Sequence, residues 1–263
     1  MEKKNPFNLV SSKKTRFILP SLLTIIGVCL GISSIKFSLD QNYSLAVIFL
    51  VFASLLDALD GRIARLIKGT SEFGKELDSL TDFVSFGIAP AFILYFWELK
   101  NYGKIGWAIT LIFSVCCVLR LARFNLTKIS EDDEWKGNYF EGIPSPAGAI
   151  LILLPLIYEL SELQLSLDIK KFTPYLVVAV SILLISNIPT FSLKKIKVSS
   201  QLTIFLLFGL VIIFVSLIFF TFKALLVLGL LYLVSIPASY FLYKRTSKKL
   251  SKILKEDDHE DIL

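Results

Sequence analysis

Eight apolar runs, most of them close to twenty residues long, leave this chain few folds to adopt. They lie at about 17–35, 43–66, 74–97, 105–124, 146–160, 173–189, 202–222 and 224–243. A bilayer core takes roughly 20 helical residues to cross, and in lipid every backbone N–H and C=O must find its partner inside the segment. The runs therefore predict an all-α polytopic membrane helix bundle of about eight spans. A hydrophobic content of 54% over 263 residues, with mean hydropathy +0.69, agrees and excludes an ordinary soluble domain. The first run carries no small-residue cleavage site and reads as a retained span. Three segments follow from this layout: a basic N-terminal stretch at 1–16, a membrane domain at 17–243 and a charged tail at 244–263.

Charge placement orients the bundle. With the N-terminus in the cytoplasm, the cytoplasmic segments receive 22 of the 28 Lys and Arg residues, and the opposite side receives Lys36, Lys100, Lys104, Lys170, Lys171 and Lys223. That asymmetry satisfies the positive-inside rule for eight spans with both termini cytoplasmic. The net charge of +6 is thereby accounted for by topology, and no nucleic-acid partner is implied. Cys29, Cys116 and Cys117 sit in apolar runs without a CxxC pair, which argues against a zinc site or a disulfide framework. The single histidine, His259, lies in the tail, so acid–base chemistry would fall to carboxylates.

Four carboxylates stand where the hydropathy should forbid them. Asp57, Asp60, Gly61 and Ala64 share one face of the second run, and Gly74, Asp78, Asp82 and Ser85 share one face of the third. An aspartate near the middle of a spanning helix costs roughly 2.5–3.5 kcal/mol. Clustered oxygen ligands of this kind suit hard divalent cations. Between the two faces, Lys68-Gly69-Thr70-Ser71 reads as a helix break. Gly69 ends one helix, and Ser71 caps the next with Glu72 in its first turn. On the assigned topology all four aspartates lie near the cytoplasmic surface, within reach of soluble substrates and ions.

The stretch from Asp57 to Asp82 resembles the signature of the CDP-alcohol phosphotransferases: Asp, two residues, Asp-Gly, two residues, Ala-Arg, a spacer, Gly, three residues, Asp, three residues, Asp. Every fixed position is matched, with a spacer of eight. The resemblance implies that Asp57, Asp60, Asp78 and Asp82 ligate one or two Mg²⁺ or Mn²⁺ ions and that Asp82 also serves as the catalytic base. It implies that Gly61, Ala64 and Gly74 admit the cytidine of a CDP-activated lipid, and that Arg65 and Ser71 contact its phosphates. Arg120-Leu121-Ala122-Arg123-Phe124-Asn125 and Gly142-Ile143-Pro144-Ser145-Pro146 further resemble the membrane-integral phosphatidylserine synthase branch, as does the run Asp78 to Gly87. That branch implies CDP-diacylglycerol and L-serine as substrates, with phosphatidylserine and CMP as products. It also implies membrane lipids as surroundings, a homodimer, and a bacterial cytoplasmic membrane with the active site on its cytoplasmic face. Pro20-Ser21 departs from the Pro-Asn often found in the first span of the family.

Arg120 and Arg123, one helical turn apart, suit a phosphate or the serine carboxylate, with Asn125 beside them. Interface anchoring is the alternative role for the two arginines. Pro144 and Pro146 are expected to fix the start of the fifth span. Two other functions compete. One is the same transfer to glycerol 3-phosphate, inositol phosphate or choline. The other is cation transport through the aspartate cluster, for which the sequence lacks the internal repeat that transporters often carry.

Overall fold

The computed structural model describes residues 15–67, 71–126, 139–163, 168–191 and 200–260. Helix dominates, as the apolar runs require. The order is α1 (Thr15–Leu39), α2 (Tyr43–Leu66), α3 (Glu72–Asp82), a π-helical turn (Phe83–Ile88), α4 (Ala89–Trp97), a 3₁₀ turn (Leu99–Tyr102), α5 (Gly103–Leu126), β1 (Tyr139–Glu141), α6 (Ser145–Leu160), a second 3₁₀ turn (Ile169–Phe172), α7 (Thr173–Ile185), β2 (Pro189–Phe191), α8 (Ser200–Phe219) and α9 (Thr221–Glu260). Stretches Leu19–Leu39, Tyr43–Leu66, Glu72–Trp97, Leu99–Leu126 and Thr221–Arg245 are long and apolar enough to cross a membrane; Ser145–Leu160 and Leu207–Phe219 are shorter apolar helices. The protein is an integral membrane protein with an all-α membrane bundle.

One compact unit holds the described parts of residues 1–126 and 145–185. Its framework is the α1–α2 hairpin. Asn42 accepts the Leu45 N–H at 3.2 Å and so caps α2, while Gln41 takes φ 60° to close the turn. Phe37 and Phe49 meet edge to face at 4.7 Å just inside the turn. Helices in lipid gain little from the hydrophobic effect and associate through close packing of small residues. Gly31 shows this on α1: a Cβ built there would stand 2.6 Å from the Ser85 Oγ and 3.0 Å from the Ser85 Cα. Helix α6, only 16 residues long, is buried over most of its length, with Leu151, Ile152, Leu153 and Ile157 at 1% exposure or less. Leucines and isoleucines of α1 and α5, such as Leu22, Ile32, Leu111 and Leu119, face outward.

The second unit comprises the described parts of residues 127–144 and 186–263. There β1 and β2 pair antiparallel, with Phe140 opposite Thr190, and the Thr190 hydroxyl donates to the Gly142 carbonyl at 2.7 Å. Helices α8 and α9 pack on each other, and α9 packs on β2.

Several sequence expectations shift. The sixth run was expected to remain helical to residue 189, but α7 stops at Ile185 and Pro189 opens a strand. Proline lacks the N–H a helix needs and pushes its predecessor toward extended backbone. The third run is one helix in outline but contains the π-helical turn, where the Ala89 N–H reaches the Val84 carbonyl. Pro90, which has no N–H to donate, follows directly. The expected break residues 68–70, the acidic run 131–134 and the N-terminal residues 1–14 lie outside the described residues.

Candidate active site

Ser71 begins the local order. Its side chain accepts the Gly74 N–H at 3.0 Å and starts α3 with Glu72 in the first turn, as the sequence indicated. That start phases α3 so that Asp78 faces α2. Carboxylate oxygens of Asp57, Asp60 and Asp78 all lie within 4.8 Å of one another. Asp82, one turn beyond Asp78, stands outside this trio but within hydrogen-bonding reach of Asp57. Asp60 is 3% exposed, and the Thr24 hydroxyl of α1 donates to it at 2.6 Å.

Two unit charges about 4.8 Å apart repel by roughly 3–4 kcal/mol at an effective dielectric of about 20. Each pair in the trio carries that burden when ionised. The donor set is oxygen only, convergent and partly buried, which is the chemistry that holds Mg²⁺ or Mn²⁺. The residues present therefore fit a divalent cation, with Asp57, Asp60 and Asp78 as the convergent ligands.

A cavity of about 470 Å³ adjoins the trio, and Asp60, Asp78, Thr24, Gly61, Ala64, Ser71 and Gly74 all line it. A Cβ added at Gly61 would meet nothing within 4 Å, so this glycine faces open space. Gly74 differs: a Cβ there would press on the Ser71 Oγ at 3.1 Å, which ties this glycine to the cap. Ser21, Glu72 and Lys75 also line the cavity.

The arginines separate. Arg65 is exposed, and its Nε donates to the Gly61 carbonyl at 3.0 Å on its own helix. Arg120 is 8% exposed; its guanidinium donates to the Ser145 Oγ at 2.7 Å, and its charge acts on Asp82. Arg123 donates to the carbonyl of Ile185, the last residue of α7, at 2.7 Å. This is a favourable place for a cation. Asn125 donates to the Ser79 Oγ at 2.9 Å and ties the end of α5 to α3. Arg65, Arg120, Arg123 and Asn125 are not among the cavity-lining residues. Sequence reading gave no role to Thr24, Lys75 or Ser145. Thr24 and Ser145 lie 36 and 25 residues from their partners. Lys75 carried one usable signal, its place in the first turn after the Ser71 cap.

Comparison with known proteins yields a consistent set. The CDP-alcohol phosphatidyltransferase family model matches residues 17–185. A CDP-diacylglycerol–serine O-phosphatidyltransferase of Helicobacter pylori is 37% identical over 203 residues, covering 77% of this chain and 82% of its own. One of the same name from Mycobacterium tuberculosis is 37% identical over 182 residues, covering 69% and 63%. An archaetidylserine synthase of Methanothermobacter thermautotrophicus is 35% identical over 188 residues, covering 68% and 73%. The cation-transporter alternative finds no support among these relatives.

Proposed function

The chain belongs to the CDP-alcohol phosphatidyltransferase family, and from that premise we propose that it transfers the phosphatidyl group of CDP-diacylglycerol to the hydroxyl of L-serine. The observation that carries the reading is the convergence of Asp57, Asp60 and Asp78 beside a cavity opened by Gly61, in a chain whose relatives bear serine-transferring names. In the reaction the serine Oγ forms a bond to the lipid-side phosphorus, the bond from that phosphorus to the CMP oxygen breaks, and the hydroxyl proton goes to a base. The products are phosphatidylserine and CMP.

Each residue takes a role suited to its place. Asp57, Asp60 and Asp78, joined by Asp82, hold one or two Mg²⁺ or Mn²⁺ ions. Such ions, when bound, neutralise the pyrophosphate and the charge that develops on it. Asp82 sits beside the trio and takes the serine proton. Gly61 and Ala64 leave room for the cytidine, and Gly74 with Ser71 shapes the loop end of that space. Lys75 in the cavity wall, and Arg65 after reorienting from its own helix, meet phosphate oxygens. Arg120, with Arg123 and Asn125 fixing the end of α5, addresses the serine carboxylate.

The membrane domain at 17–243 carries this chemistry, in eight spans with both termini and the active site on the cytoplasmic side of a bacterial inner membrane. The protein works as a homodimer; a protomer-sized mass for the active detergent-solubilised enzyme would rule that out. The test of function is CMP release from CDP-diacylglycerol with a panel of alcohols. L-serine should stimulate release well above glycerol 3-phosphate, inositol phosphate or choline, and EDTA should abolish it. In sealed vesicles the activity should need no detergent when the cytoplasmic face points outward. Faster turnover with another acceptor removes serine from the account and leaves the family in place.

A further inference from the structure

Ser145 opens α6 and is 1% exposed, yet it carries a hydroxyl ahead of an apolar run from Pro146 to Ile157. Its Oγ accepts the Arg120 guanidinium at 2.7 Å, and the Cys117 thiol lies 3.6 Å from the same oxygen. Arg120 is itself 8% exposed and lies on α5, the helix that ends beside α3 through the Asn125–Ser79 hydrogen bond. A buried guanidinium must be hydrogen-bonded to be tolerated. Its donors form one rigid planar fork, so anchoring one edge sets the plane of the rest. Lysine or a loosely held arginine would supply the charge without that orientation.

We propose that Ser145 is a positioning residue for acceptor specificity: by holding Arg120 from the start of α6, it aims the guanidinium at the carboxylate of the acceptor alcohol. This rests on the reading of L-serine as acceptor. The flanking prolines fit the role. Pro144 and Pro146 restrict the backbone on either side of Ser145, so the hydroxyl is presented from a stiff segment. The site is separate from the nucleotide cavity beside Gly61, whose lining includes neither Arg120 nor Ser145. Loss of the Ser145 hydroxyl should therefore be felt by one substrate and not the other.

The experiment compares wild type, Ser145→Ala and Ser145→Cys as purified full-length enzymes, measuring KM for L-serine, KM for CDP-diacylglycerol, and inhibition by L-serinamide. Serinamide keeps the hydroxyl and the amine but has no carboxylate. In Ser145→Ala the serine KM should rise about tenfold, equivalent to about 1.4 kcal/mol, while the CDP-diacylglycerol KM and the serinamide inhibition constant stay put. Ser145→Cys keeps the volume with a weaker acceptor and should fall between. An unchanged serine KM in either variant overturns the proposal, so the cysteine variant decides it alone if the alanine variant cannot be purified. A parallel rise in all three constants also overturns it, because that is the mark of general loosening. A wild-type enzyme indifferent to serine fails differently, by removing the acceptor reading on which the proposal stands.

Discussion

At the scale of single residues, the four aspartates are not equivalent. Asp57, Asp60 and Asp78 converge within 4.8 Å, whereas Asp82 stands outside the trio, hydrogen-bonds Asp57 and feels the charges of Asp78 and Arg120. The trio has the geometry of ligands, and Asp82, beside it and within the field of Arg120, is the one proposed as base. Asp82→Asn should keep metal and CDP-diacylglycerol binding while turnover falls by at least about a hundredfold, the scale of a lost general base. Asp57→Asn and Asp78→Asn should weaken Mn²⁺ binding, and added Mn²⁺ should restore part of their activity. Metal titration of nucleotide binding and of turnover separates the two classes. Rescue of Asp82→Asn by metal to the same degree would make Asp82 a ligand only and place the base elsewhere. The trio was legible because helix periodicity puts Asp57 and Asp60 on one face and Gly74 and Asp78 on the next. Thr24 and Ser145 were not, because hydrogen bonds across 36 and 25 residues leave no local pattern.

At the scale of elements, two helical glycines make opposite demands. Gly61 faces open cavity, while Gly31 faces the backbone and hydroxyl of Ser85. Alanine favours a helix over glycine by roughly 0.5–1 kcal/mol where there is room. Gly61→Ala should therefore leave the thermal midpoint unchanged or higher, yet raise the KM for CDP-diacylglycerol. Gly31→Ala should lower the midpoint by an amount equivalent to about 1–3 kcal/mol, the usual range for overpacking. It should also disturb activity, because Thr24 lies two turns away on the same face of α1 and holds Asp60. Thermal unfolding followed beside kinetics distinguishes the pair; a stable Gly31→Ala enzyme would contradict the close α1–Ser85 approach. Element existence was readable from the apolar runs, since lipid leaves helix as the only satisfied backbone for each. The π-helical turn and the β1–β2 pairing were not: one departs from the 3.6-residue period, and the other joins two three-residue strands distant in sequence.

At the scale of the whole molecule, the family match at 17–185 covers much the same residues as the compact unit that bears the aspartates. The second unit, with α8 and α9, adds apolar helices whose outward Phe, Ile and Leu side chains suit lipid. On the proposed reading, the phosphatidyl group of CDP-diacylglycerol passes to serine at the aspartate cluster and CMP leaves. The most direct measurement supplies purified enzyme with CDP-diacylglycerol, Mn²⁺ and ¹³C-labelled L-serine, and quantifies CMP and labelled lipid together by mass spectrometry. One labelled phosphatidylserine should form for each CMP released, with both products lost in Asp82→Asn. CMP released with phosphatidic acid and no labelled lipid would mean that water is the acceptor, and would contradict that reading.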